Sequence, residues 1–490
     1  LTSSSRISAG QLEKKGSVGG LAVSHAAILA FIAVVACLCF LGASFFGTVK
    51  SVAQPAVLTG FAINICLGLV AYIISLTKAP ISFSQIHWVF YLTFFCLAPL
   101  SQYLNAYSCW DYVLSDNDYI NTNFIILIWG ACVFTFSSLR GRGGKVMAEA
   151  INDPIDCIPH IRVSRMLVML ALGVVATFLV VTVYGFDNLF SRSTMESDLP
   201  LTLDLIFGKV IRPLPIFVLA FGIIFFRQQN KKTLFSVLVL ILCIALSLLA
   251  DFPAAMARYN AACFYGGLAI IAIPSLRKKK GLFSLLFLAL FLVVFPATNM
   301  FKTSVFDMNL FLETIGSIMT NLSTGFCAVD YDAYSLIART VHYVDVYGLT
   351  WGKQLLTSLL FFVPRAVWAA KSVGTGELVS SAQGQRFTDL SSPLAAEGYV
   401  DFGMVGVVCY AAILGLLIRR FDRNAPTQSL LFSLFRPFGV LMFFFIMRGS
   451  LLSTWAYTVG FFISFSLVAF VAFGGIRKSS RVDCHLDERI

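Results

Sequence analysis

The stretch KKTLFSVLVLILCIALSLLADFPAAMARY, residues 231–259, decides the fold. After Lys232 the run 232–250 carries no charge, and it has the length of about 20 residues that a helix needs to cross a bilayer. Its two ends differ. Basic residues from Arg227 to Lys232 precede it, while a short turn holding Asp251 and Pro253 leads out of it to Arg258. Working outward, the same kind of run recurs at 22–48, 54–77, 82–104, 120–138, 165–184, 206–226, 259–275, 281–297, 401–418, 429–447 and 456–474. The expectation is an all-α polytopic membrane protein with about 12 transmembrane helices.

Composition agrees. Of 490 residues, 58% are hydrophobic and 12% are charged, against roughly 25% charged in a soluble chain. The net charge of +11 is not a nucleic-acid signal, because it sits in short loops. Arg140 and Arg142, Arg227 to Lys232, Arg277 to Lys280, Arg419 and Arg420, and Arg477 and Lys478 all fall on one side when the spans alternate. By the positive-inside rule that side is cytoplasmic. Both termini fall there too, and the polar start of the chain with Lys14 and Lys15 reads as a cytoplasmic tail. Cysteines lie mainly inside apolar runs and show no metal-ligand spacing. The layout is a tail and nine spans over 1–297, a large, mostly helical outer loop over 298–400, and three spans with a tail over 401–490. Apolar stretches in that loop, such as 355–363, are too short to span and suit interfacial helices.

Charges beside the hydrocarbon are the functional suspects. Arg212 follows Lys209 in GKVIRPLP, Arg258 follows the turn DFPAAMAR, and Arg448 ends a span in IMRGS. Arg365 and Lys371 stand in VPRAVWAAKSVGTG, residues 363–376, on the outer side, where basic residues are normally depleted. Such cations, gathered at one face, suit a pyrophosphate, since guanidinium binds phosphate oxygens bidentately and keeps its charge when partly desolvated. Each one alone also fits snorkelling to headgroups. Glu397, in PLAAEGYVDFG, is the candidate general base toward a hydroxyl, or an ion-pair partner that orders an arginine. Asp332 fits either role. Asp330 and Asp332 stand at DxD spacing, but the neighbouring Tyr331 and Tyr334 favour a structural turn over a metal site. His342 is the lone histidine of the outer loop. Tyr259, Trp368 and Tyr399 suit stacking on sugars or an interfacial aromatic belt. Neither metal nor cofactor is expected.

These residues give the chain a resemblance. Pro253 with Arg258 and Tyr259, Asp332 with Tyr334, then Gly348, Thr350 and Gly352 form its first part. Pro364, Arg365, Trp368 and Lys371 follow, and Glu397, Tyr399, Phe402, Gly403 and Gly406 close it. In that order they resemble the Wzy-type polymerases of O-antigen and capsule repeat units, integral-membrane glycosyltransferases similar to the GT-C type. Arg365 and Gly376 also match the RX10G pattern of such polymerases; Arg192, in another outer loop, has no matching glycine. The resemblance implies a bacterial inner-membrane enzyme with a periplasmic site and no cofactor. It would transfer the growing glycan from undecaprenyl pyrophosphate to an incoming repeat unit on the same carrier, with a flippase and a chain-length-regulating protein as partners. Arg258 and Arg365 would hold the pyrophosphate, supported by Arg212, Lys371 and Arg448, with Glu397 as base. An O-antigen ligase shares this architecture and cation logic. A flippase or other transporter predicts repeated halves and midplane charges, and neither is evident.

Overall fold

The computed structural model describes residues 54–139, 158–190, 199–294, 297, 308–320, 325–423 and 429–474. The run 22–48 lies outside the described residues, as do Lys14, Lys15, Arg140, Arg142, Arg192, Arg477 and Lys478. Every regular element among the described residues is helical. In chain order they are α1 Pro55–Lys78, α2 Phe83–Leu104, α3 Asp116–Ser138, α4 Val163–Tyr184, α5 Leu203–Gln228, α6 Leu234–Ala250, α7 Arg258–Ala272 and α8 Leu282–Val294. Then come α9 Met308–Thr320, α10 Ala333–Tyr347, α11 Lys353–Leu359, α12 Thr375–Ala382, α13 Leu394–Arg423, α14 Leu430–Arg448 and α15 Leu451–Phe473.

Nine of the described helices, α1 to α6 and α13 to α15, are long and apolar enough to cross a membrane. The chain therefore has the architecture of a polytopic membrane protein. Two expected spans are shorter than the apolar runs that suggested them. The run 259–275 yields α7, 15 residues long, because Pro274 cannot continue its hydrogen-bond ladder. The run 281–297 yields α8, an apolar helix of the 10–17 residue class. Conversely α13 starts seven residues before the expected span, at Leu394, because Leu394, Ala395, Ala396 and Val400 are all buried.

Polar residues set the helix ends. Ser115 and Asp118 form a reciprocal capping box on α3. Asp422, near the end of α13, accepts from the backbone N–H groups of Phe83 and Ser84 and so closes the start of α2. Helix packing relies on small residues, as van der Waals fit replaces the hydrophobic effect between helices in lipid. A Cβ on Gly267 would stand 2.3 Å from the Phe438 ring, and one on Gly266 2.6 Å from Leu441. Glycine at these two positions lets α7 lie against α14. Arg258 opens α7 and Arg448 closes α14, so this antiparallel pairing brings both arginines to one end of the bundle.

Helix α13 breaks at Phe402 and Gly403, where Gly403 has φ 61°. The break folds α13 so tightly that a Cβ on Gly406 would meet the Gly398 carbonyl at 1.9 Å. Asp401, at the break, accepts from Thr350 Oγ1 (2.6 Å) and from the backbone N–H groups of Gln354 (3.1 Å) and Leu355 (2.9 Å). It therefore caps α11 and ties that helix to α13. Three helices, α2, α5 and α8, contain π-helical turns, at Tyr91–Leu97, Phe207–Ile211 and Leu290–Val294. Such turns often mark functional sites, and here each lies beside one of the two cavities described next.

Candidate functional site

A cavity of about 550 Å3 opens where α7, α8 and α14 end beneath the segments 329–332 and 387–391. Its deeper wall is apolar, built by Cys263 of α7, Phe287 and Phe291 of α8, and Leu441, Phe444 and Phe445 of α14. Its rim is charged, with Arg258, Arg448, Asp330, Asp332 and Asp389. Arg258 binds Asp330 through both terminal nitrogens, at 2.5 and 3.4 Å. Arg448 donates to Asp332 Oδ1 at 3.1 Å, to the Asp330 carbonyl at 2.9 Å and to the Ser391 hydroxyl. The π-turn residue Phe94 faces the same guanidinium at 5.8 Å. The turn Val329–Tyr331 is a short 3-10 helix, so the DxD pair does hold a turn, and its carboxylates meet arginines.

Asp332 is 1% exposed. Burial pushes its carboxyl above its ordinary pKa, and Arg448 and Trp110 pull against that rise. Trp110 donates its indole N–H to Asp332 at 2.8 Å and stacks on Phe387 at 5.2 Å. Its backbone, like that of Asp111, is left-handed, with φ 57° and 55°. L-residues adopt this conformation at a cost of about 1–2 kcal/mol each, and such strain gathers at functional sites. Tyr259 lines the cavity and stacks face to face on Phe445 at 3.7 Å. Asp389, exposed at the rim, is the one of the three lining aspartates without an arginine partner among the described residues.

A second cavity of about 290 Å3 adjoins the first, and Ala257 lines both. Arg212 lies here, 3.4 Å from Asp251, together with Lys209, whose ammonium sits 4.7 Å from the Tyr457 ring centre.

Of the expected site residues, then, Arg258, Arg448, Asp332 and Tyr259 meet in one cavity, and Arg212 in its neighbour. The others line neither. Arg365 is exposed and donates to the carbonyls of Lys371 (2.7 Å) and Ser372 (3.1 Å). Lys371 donates to the carbonyls of Phe361 (2.6 Å) and Val363 (2.8 Å). Burial first, and Arg365 second, lower its pKa. The two cations thus fold their own loop, whose Phe362 and Val367 are exposed. Trp368 hydrogen-bonds within that loop, its backbone N–H donating to the Pro364 carbonyl. Tyr399 packs against the main core. Glu397 is buried, and both its oxygens are engaged, by Thr375 Oγ1 at 2.5 Å and by the Leu451 N–H at 2.9 Å. It ties α12 to the start of α15. Gly376 of the RX10G spacing has a packing reason, since a Cβ there would stand 1.9 Å from the Leu390 carbonyl oxygen. His342 is bound by Asp118 at 2.7 Å and by the Tyr112 hydroxyl.

Sequence reasoning gave Trp110, Asp251, Asn260 and Asp389 no role. The signal available for Asp251 was a carboxylate at the end of an apolar run; for Trp110 there was none. No family model, curated protein or solved structure matches this chain.

Proposed function

We propose that this chain is a membrane glycosyltransferase that polymerises oligosaccharide units carried on a polyprenyl pyrophosphate, with the larger cavity as its reaction site. The observation that carries the reading is the cavity's two-part wall. An aromatic and aliphatic depth under a rim of arginines and aspartates suits an amphiphile whose anionic head is joined to an apolar chain. The resemblance to repeat-unit polymerases adds the chemistry, and the reading carries with it twelve spans, a periplasmic site and the bacterial inner membrane.

In the reaction, an acceptor sugar hydroxyl attacks the anomeric carbon of the donor glycan. The new C–O bond forms as the bond to the pyrophosphate oxygen breaks, and the carrier pyrophosphate leaves with the electron pair. A preplaced cation at the leaving oxygen is what this step needs most. Arg258 is that cation, and Arg448 fixes the 330–332 turn beside it. Asp330 holds the Arg258 guanidinium in place and yields one edge of it to a phosphate oxygen. The hydroxyl proton passes to a carboxylate; Asp389 takes this role, since Asp330 and Asp332 are engaged by arginines and Glu397 lies outside the cavity.

Loss of the gene product in its native host tests the reading. A polymerase leaves surface glycan of single repeat units. Long carrier-linked polymer would mean a ligase, and lipid-linked units trapped on the cytoplasmic face would mean a flippase.

A further inference from the structure

The smaller cavity has a chemistry of its own. Its wall holds Asp204 and Lys209 of α5, Arg212 after the π-turn, Asp251 at the end of α6, Asn260 of α7 and Tyr457 of α15. Four buried acceptor atoms on these residues receive no hydrogen bond from any described residue: Asp204 Oδ1, both oxygens of Asp251, and Asn260 Oδ1. Asp251 is 1% exposed, and its nearest cation, the Arg212 Nε, stands 3.4 Å away and donates instead to the Ala250 carbonyl. One buried donor, Arg212 Nη2, is likewise without a partner among the described residues. Buried polar groups without partners are rare, and each calls for an explanation.

Among the fully buried partnerless atoms of this wall acceptors outnumber donors four to one, the Lys209 ammonium adds donors beside them, and the mixture calls for a ligand that both donates and accepts. A phosphate offers mainly acceptors and cannot satisfy the carboxylates. A metal ion or an ammonium cannot accept from Arg212, and Lys209 in the same wall repels it. A sugar ring satisfies both needs, because each hydroxyl donates and accepts. The Tyr457 and Tyr184 rings also line the wall, each with a cation over it, Lys209 at 4.7 Å and Arg212 at 5.6 Å. The volume lies at the lower end of small-molecule pockets.

We infer that the smaller cavity is a saccharide-binding subsite, which takes one neutral sugar whose hydroxyls donate to Asp204, Asp251 and Asn260. It rests on the proposed reaction only for its purpose, which is to seat a sugar of a lipid-linked unit beside the larger cavity. Ala257 borders both spaces, and the Tyr259 ring of the larger one meets the Tyr457 ring of the smaller at 5.7 Å.

Saturation-transfer NMR on the purified full-length protein tests this. The probes are D-glucose, D-galactose, D-mannose, L-rhamnose, N-acetyl-D-glucosamine and N-acetyl-D-galactosamine, with inorganic pyrophosphate binding measured on the same samples. At least one sugar should bind. Its affinity should fall about ten-fold or more, which is 1.4 kcal/mol, in both Asp251→Asn and Asn260→Ala, while pyrophosphate binding in both stays at the wild-type level. That retained binding shows that the variants are folded. The inference is overturned if no sugar binds, if both variants bind sugar as wild type does, or if pyrophosphate displaces the sugar through Arg212. A protein that binds pyrophosphate but no sugar loses only the subsite; one that binds sugar at Asp251 but no pyrophosphate loses the proposed reaction instead.

Discussion

At the residue scale, the proposed reaction turns on Arg258 and its partner. If Asp330 competes with phosphate for the guanidinium, Asp330→Asn should bind inorganic pyrophosphate about ten-fold more tightly, while Arg258→Ala should lose binding. Calorimetry on purified protein checks both, and weaker binding by Asp330→Asn would show that the carboxylate only positions the arginine. Glu397 separates two roles cleanly. As a brace, Glu397→Gln keeps an amide oxygen for Thr375 or the Leu451 N–H and should still polymerise. Glu397→Ala leaves both donors bare in a buried place, at a cost of about 1–3 kcal/mol for each, and should lower the melting temperature. An inactive but fully stable Glu397→Gln would restore it as the base. The sequence showed these residues as charges at helix ends but not whom they meet. Arg258 and Asp330 are 72 positions apart, and no local pattern encodes that encounter. Glu397 drew attention for its context, yet the groups that engage it come from α12 and the start of α15.

At the element scale, the length of the apolar runs made the membrane helices legible, because apolar runs of bilayer length have few other uses. Their interruptions were not legible. Nothing in YLTFFCL or FGKVI announces a π-turn, since the extra residue is accommodated by packing. In the segment expected as an outer loop, the role of the cations was not legible. Arg365 and Lys371 satisfy the carbonyls of an irregular segment, which sequence cannot distinguish from binding phosphate. Arg365→Ala should therefore unfold that loop locally, detected as faster amide exchange over 361–374 with unchanged pyrophosphate affinity. Gly376 gives the sharper test of packing. Gly376→Ala drives a methyl into the Leu390 carbonyl and should cost about 1–3 kcal/mol, read as a fall in melting temperature. A variant as stable as wild type would mean that α12 does not sit against the 388–391 segment.

At the scale of the whole molecule, two cavities share a wall at one end of the bundle, and the basic loops that join α5 to α6 and α7 to α8 lie at the other. One cavity joins apolar depth to charged rim; the other is small and rich in acceptors. That pairing suits the proposed enzyme acting on sugars carried by a lipid, and under that proposal the reaction lies on a single face of the membrane. The direct test is a reaction with purified protein, its native lipid-linked repeat unit and no nucleotide sugar, resolved on a gel. The expected result is a ladder of repeat lengths from wild type and none from Arg258→Ala. A folded wild-type protein that leaves the repeat unit unextended, or an Arg258→Ala variant that extends it as well as wild type, would contradict it.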